Sequence, residues 1–129
     1  MAVKPYQGFE PKWVKEAAPA DSWRSIFRWG DPDFVKYPKE SLYKLIKETF
    51  KMTDKDFSHY DGSIGMEKVK LDQPSKISAE DLKALQEIVG KENVTTDDYP
   101  RLAVAYGKTG YDTLRLRQHK VDSLPDAVV

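Results

Sequence analysis

The sequence predicts a mainly α fold of several short helices, with an extended N-terminal arm and a C-terminal strand that joins a sheet outside the helical region. Apolar residues recur at helical spacing between residues 38 and 52. Ser78 and Gly90 bracket a second periodic stretch as N-cap and stop signal. The turn formers Pro125 and Asp126 precede the β-forming run 127–129. We therefore divide the chain into an arm (1–21), a helical region (22–123) and a strand (124–129).

Composition limits the classes of function. The chain has 129 residues, with 21 basic and 21 acidic side chains and no cysteine. A balanced charge gives no global field that would attract nucleic acid or an anionic membrane. The lack of cysteine excludes disulfides, thiolate catalysis, iron–sulfur ligation and Cys-type zinc sites. The start of the sequence has no signal-peptide pattern and no stretch reaches the roughly 18 apolar residues of a membrane helix, so we expect a soluble, cytoplasmic chain.

The arm is rich in proline and in large aromatic side chains but shows no periodicity. Such a segment is typically extended, and its aromatic residues are expected to anchor it on a surface, either on its own domain or on a partner. The prolines and aromatics are Pro5, Pro11, Pro19, Tyr6, Phe9 and Trp13.

Helical signals begin at residue 22. Residues 22–29 predict a two-turn helix with Trp23, Ile26 and Phe27 on one face. Residues 38–52 predict a longer amphipathic helix, and 53–56 a further short turn with a capping-box-like start. The apolar face of the longer helix comprises Leu42, Leu45, Ile46 and Phe50.

Three further helices are predicted after a long loop over residues 59–75. Residues 78–90 form the first, with Ser78 as N-cap and a stripe of Leu82, Leu85, Gln86 and Val89. The second follows Asp97 or Asp98 and runs to Tyr106. The last covers 112–118, where alternation favours a strand and Asp112 as N-cap favours a helix; we favour the helix.

Single motifs do not predict chemistry. Gly107-Lys108-Thr109 resembles the end of a phosphate-binding loop, but Leu102 stands where that motif needs glycine. His59 and His119 are 60 residues apart, without the spacing of a metal site. The acid pairs coincide with turns or helix starts, where capping explains them. These pairs are Asp31/Asp33, Asp54/Asp56 and Asp97/Asp98. We therefore predict no catalytic, cofactor-binding or metal-ligating residue.

Charge is segregated near the C-terminus of the sequence. Between residues 101 and 120, five cations accompany the single acid Asp112, whereas residues 72–98 are acidic. This pattern has three interpretations: an internal polar interface, an anion site or a solvated face. Arg115 and Arg117 are candidates for bidentate pairing with carboxylate or phosphate. The strand at 124–129 has no predicted ladder partner, so we expect other backbone to pair with it.

The order of several features suggests a family. In chain order these features are Gly90, Asn93-Val94, Asp97, Arg101, Tyr106-Gly107-Lys108, Asp112, Arg115, Arg117 and Pro125-Asp126-Ala127-Val128-Val129, preceded by Arg28-Trp29-Gly30-Asp31 and the helix after Tyr37-Pro38. Over residues 22–129 this order resembles the lead-in to the PCMH-type FAD-binding domain of FAD-linked oxidases. It is similar to the alkyl-dihydroxyacetone-phosphate synthase branch and to the bacterial glycolate or D-lactate dehydrogenase branch.

The resemblance implies a structural part of a flavoenzyme. In that family, residues matching 125–129 form the first strand of the flavin domain, and the loop that holds FAD comes later. The chain is then the N-terminal segment or small subunit of a FAD-dependent oxidoreductase, and FAD belongs to the completed enzyme. The remainder of the flavoprotein is the expected partner, met through an interface of Trp29, Arg115, Arg117, Pro125, Asp126, Val128 and Val129.

Two alternatives differ in class. An autonomous helical adaptor would have a self-contained fold, with residues 127–129 as a frayed tail. A nucleic-acid binder that uses residues 101–120 with Tyr106 and Tyr111 is disfavoured by the zero net charge.

Overall fold

The computed structural model describes residues 16–27, 40–57, 62–106 and 109–129. The helices of these residues are α1 (Trp23–Ile26), α2 (Glu40–Phe50), α3 (Asp54–Phe57), α4 (Ala79–Val89), α5 (Asp98–Ala105) and α6 (Gly110–Arg117), with a 3-10 turn at Lys91–Asn93. The predicted mainly α fold is confirmed. The predictions for the arm aromatics, Trp29 and His59 fall outside the described residues.

The C-terminal strand does not form as an element within the described part of the chain. Its residues contribute one isolated antiparallel bridge, between Thr95 and Val128, and a second isolated bridge joins Ser22 to Lys68. A single bridge pairs one residue with one other, whereas a strand needs a ladder of several such pairs. The β-forming sequence at 127–129 is therefore held extended without a sheet.

Helix caps agree with the sequence in α4 and differ in α6. The Ser78 side chain accepts a hydrogen bond from the Asp81 amide at 3.0 Å, as predicted. α6 begins at Gly110 instead of after Asp112, because Thr109 is its N-cap. Thr109 and Asp112 form a reciprocal capping box, with Asp112 at the third helical position. The helix predicted at 112–118 is thus confirmed, and the predicted cap was wrong.

The core combines α1, α5 and α6. Trp23, Ile26 and Phe27 are buried, as their shared face predicts, and they cluster with Leu102 of α5 and Leu116 of α6. Loop residues cover the rim of this cluster, among them Val69, Leu71, Val121 and Leu124. Segments far apart in sequence therefore form one apolar centre.

The predicted buried face of α2 is not buried. Leu42, Leu45 and Phe50 are 47%, 59% and 69% exposed. The buried residue of this helix is Tyr43, whose ring packs 4.5 Å from that of Phe57 in α3. Periodicity determines which side chains share a helix face, but a neighbouring element must be present to cover it.

The helices are also short. No helix in the described ranges is both long and apolar enough to cross a bilayer. The stripe of α4 is half-buried at most, and that helix has no fully buried residue.

Candidate interaction site at the C-terminal segment

Arg101 fixes the C-terminal segment, defined as residues 124–129, to the helical region. Its side chain is 2% exposed, although it belongs to a charged residue. Its Nε donates to the Pro125 carbonyl at 2.7 Å, and its Nη1 donates to the Gln73 carbonyl at 3.0 Å. Asp98 Oδ1 lies 3.7 Å from Nη1 and supplies the opposite charge. A buried guanidinium is tolerated because these acceptors replace its water.

Two further contacts hold the same segment. Val128 and Thr95 exchange both backbone hydrogen bonds, with N···O distances of 3.0 and 2.9 Å. Asp126 Oδ1 accepts the Lys76 amide at 2.8 Å. The segment is therefore attached at three of its residues, Pro125, Asp126 and Val128, and it is not a frayed tail.

The outer edge of the segment makes no backbone pairing in the described structure. In an antiparallel pair the backbone groups of alternate residues point to opposite sides. Since Val128 faces Thr95, the groups of Ala127 and Val129 face away, and neither residue makes a hydrogen bond among the described residues. Val129 is 65% exposed.

A cavity of about 340 Å³ lies at the base of the segment. It is lined by Asp72, Gln73, Pro74, Lys76, Arg101, Leu124 and Asp126. Arg101 Nη2 has no hydrogen-bond acceptor among the described residues. Arg101 is thus a lining residue of the cavity with one guanidinium nitrogen left unpaired within the described part of the chain.

The predicted interface arginines make contacts inside the chain. The Arg115 guanidinium pairs with Asp122 and lies 5.5 Å from the centre of the Tyr111 ring. The Arg117 guanidinium lies 5.8 Å over the Phe27 ring. Part of the basic stretch thus forms an internal polar interface, and a partner contact of Arg115 or Arg117 stays a prediction.

His119 joins α6 to α1 and to the loop at 62–69. Its ring stacks on Trp23 at 4.2 Å with a 16° interplanar angle, and its Nε2 lies 3.0 Å from Glu67 Oε1. Burial alone would raise the pKa of Glu67. Hydrogen bonds from Ser63, the backbone and His119, together with the His119 charge, outweigh burial, so this pKa is lowered. The sequence analysis considered His119 only as a possible metal ligand, because neither Trp23 nor Glu67 is near it in sequence.

Sequence reasoning also missed the importance of Arg101. It grouped Arg101 with four other cations, and burial was the property that set it apart. Asp98 on the preceding turn and proline at 100 signal a helix start, but no local signal marks a guanidinium that reaches residues 73 and 125.

The described residues contain no cluster of three or more side chains suited to metal binding. The acids at helix starts have structural contacts instead. Asp98 Oδ2 accepts the Leu71 amide at 3.0 Å, and Asp112 completes the α6 capping box.

Among curated proteins the chain has a relative of 34% identity. No protein-family model matches the chain. No solved structure matches it. Protein Rv2250A of Mycobacterium tuberculosis is 34% identical over 115 residues, which cover 89% of this chain and 72% of the relative. This identity over most of both chains shows common ancestry, and the chain therefore belongs to the same family as Protein Rv2250A.

Proposed function

We propose that this chain is the N-terminal segment or small subunit of a cytoplasmic FAD-dependent oxidoreductase. In this proposal it packs on the flavin and substrate domains and pairs the C-terminal segment with their backbone. The chain performs no chemical step itself, and FAD is bound by the partner. The completed enzyme is similar either to the ether-lipid synthase branch or to the 2-hydroxy-acid dehydrogenase branch.

The attachment of the C-terminal segment by Arg101 is the observation that carries this proposal. Arg101 and Pro125 both belong to the ordered features that resemble FAD-linked oxidases, and the structure joins them by a 2.7 Å hydrogen bond. Thr95 lies between two more of these features and pairs with Val128. Separate pieces of the resemblance thus meet in one unit that presents a β-forming segment.

The open edge explains how such a unit meets a partner. Strand addition uses backbone N–H and C=O groups for affinity, and the groups of Ala127 and Val129 have the required alternation. A segment that is already extended loses less conformational entropy when it pairs. The helical region then acts as a support that presents one edge.

One observation favours the autonomous adaptor. The inner side of the segment is paired within the chain, by Thr95 and Val128, so this region is not dependent on outside backbone for those bonds. Under this alternative the exposed face of α2 is the surface that meets partners, and no flavoprotein is involved.

Co-expression distinguishes the two. We would express the tagged chain with the polypeptide encoded next to it in its source genome, purify it by the tag, and record the absorbance of bound flavin. The flavoprotein proposal predicts a yellow complex of both polypeptides. A well-folded chain that purifies colourless and alone would contradict it and favour the adaptor.

A matched pair of variants tests the role of the edge. Val129→Pro removes an outward N–H, whereas Val129→Ala keeps that N–H and shortens the side chain. Loss of one backbone hydrogen bond costs about 1 kcal/mol, so the proline variant should bind the flavoprotein roughly fivefold more weakly than the alanine variant. Both variants should unfold at the same denaturant concentration, because Val129 is mostly exposed. Equal binding by the two variants would exclude strand pairing at this position.

A further inference from the structure

The Arg101 guanidinium has hydrogen-bonding capacity that its own chain does not use. A guanidinium has five N–H donors. Nε and Nη1 are directed to the carbonyls of Pro125 and Gln73, while Nη2 has no acceptor among the described residues. A nearly buried charged donor with free N–H groups at a cavity is a site where an incoming acceptor gains a strong bond.

The charges around the cavity select the kind of acceptor. Lys76 and Arg101 contribute two positive charges to the lining, and Asp72 and Asp126 contribute two negative charges. Asp98 Oδ1, which lies 3.7 Å from Arg101 Nη1, further offsets the positive charge of the guanidinium. An anion that approached Arg101 would meet these carboxylates, so a neutral oxygen is favoured over phosphate or carboxylate.

The position of the cavity selects the source of that oxygen. Leu124 and Asp126 line the cavity; Asp126 directly precedes Ala127 of the open edge, and Leu124 lies three positions before it. At about 3.3 Å per residue, an extended chain paired with Ala127 and Val129 reaches the cavity within one to three residues. Such a chain carries a peptide carbonyl at every residue.

We propose that the cavity at Arg101 binds a peptide carbonyl of the partner segment that pairs with the outer edge at Ala127 and Val129, with Arg101 Nη2 as the donor. This inference rests on the proposed function and specifies its interface. Arg101 is then a connection between the two polypeptides, since one guanidinium bonds Pro125 on one side and the partner on the other.

Nuclear magnetic resonance of guanidinium nitrogens tests the proposal without a destabilising substitution. The chain, labelled with ¹⁵N at arginine, would be compared alone and in the complex with the flavoprotein. We expect the Arg101 Nη2 hydrogens to become slowly exchanging in the complex. The Arg101 Nε hydrogen serves as internal reference, because Pro125 accepts it in the free chain already.

The possible results distinguish failure of the carbonyl site from failure of the proposed function. If a yellow complex forms and the Nη2 signals stay as in the free chain, the carbonyl site is wrong and the proposed function stands. If no complex forms, the proposed function and this inference both fall. Inorganic phosphate added to the free chain should leave the Nη2 signals unchanged; a saturable shift would show an anion site and overturn the assignment to a neutral acceptor.

Discussion

The α1–α5–α6 core and the α2–α3 pair differ in what covers their apolar residues. In the core, Leu102 and Leu116 are completely buried, and they come from helices with modest amphipathic character. In the pair, α2 has the more regular apolar face, yet Leu45 and Phe50 are more than half exposed. An apolar side chain is therefore buried where several segments pack together, and a regular apolar pattern on one helix does not suffice.

The two regions also differ in how they use polar contacts. Around the core, Arg101 is buried and directs its N–H groups to carbonyls of distant segments. In the pair, Lys47 contacts Asp54 at 2.6 Å on the surface. Water and salt weaken surface ion pairs such as that of Lys47 with Asp54, so we expect the core to contribute most of the stability.

The largest expected effect is a cavity in the core. Leu116→Ala should lower the free energy of unfolding by about 2–5 kcal/mol, because a fully buried side chain loses its packing. Leu114→Ala on the same helix is the control, since Leu114 is 57% exposed, and it should cost less than about 0.5 kcal/mol. Urea unfolding measures both. Equal losses of unfolding free energy in the two variants would contradict the difference in burial between Leu116 and Leu114.

Removal of the buried guanidinium should have the next largest effect. Arg101→Met leaves the Pro125 and Gln73 carbonyls without donors, and we expect a loss of about 3 kcal/mol. Hydrogen exchange at the Thr95 and Val128 amides should accelerate with it, as the segment is released. Unchanged protection of these amides would show that the bridge holds the segment without Arg101.

Substitution of two glycines by alanine should change stability by smaller amounts and in opposite directions. Gly65 has φ of +81°, and a side chain there would overlap the Phe27 ring, so Gly65→Ala should destabilise by about 1–3 kcal/mol. Gly110 has no heavy atom within 4 Å of an added Cβ, and Gly110→Ala in α6 should stabilise by about 0.5–1 kcal/mol. Thermal unfolding followed by circular dichroism tests the two signs. Destabilisation by both would contradict the open space at Gly110.

The α2–α3 pair should show the smallest effect, as a dependence on pH. The Lys47 hydrogen bond, followed by that of Tyr43, lowers the pKa of Asp54 below its usual 3.8. A lowered pKa stabilises the contact above the unfolded value, and the stabilisation is lost as pH falls through the folded value. The α2–α3 contact should therefore persist above about pH 4 and weaken below it.

Titration of the Asp54 carboxyl carbon by nuclear magnetic resonance measures this effect. Lys47→Gln and Tyr43→Phe should each raise the pKa of Asp54 toward its usual value. Lys44→Gln is the matched control on the same helix, because Lys44 pairs with Glu40 at 2.8 Å, and it should leave the titration unchanged. A shift of similar size in the control would mean that general charge, and not the Lys47 contact, lowers the pKa.

Much of the local structure could be predicted from the sequence. The N-cap at Ser78, the shared face of Trp23, Ile26 and Phe27, and the helical character of most segments follow from patterns within a few residues. The start of α6 was misplaced, because Asp112 was predicted as the N-cap, whereas its reciprocal hydrogen bonds with Thr109 make Thr109 the cap. The sequence predicted which residues form the interface but not how they are arranged. Three of them, Pro125, Asp126 and Val128, make hydrogen bonds to other residues of this chain.

The sequence by itself determined the mainly α character and the approximate positions of most helices, because capping and periodicity act over one or two turns. Only the tertiary structure decided that Arg101 is buried, that the α2 face is uncovered and that the segment 124–129 makes one bridge in place of a strand. These features depend on contacts between residues 24 or more positions apart, such as Arg101 with Pro125 and Gln73. Local patterns carry no information about which distant acceptor a donor will meet.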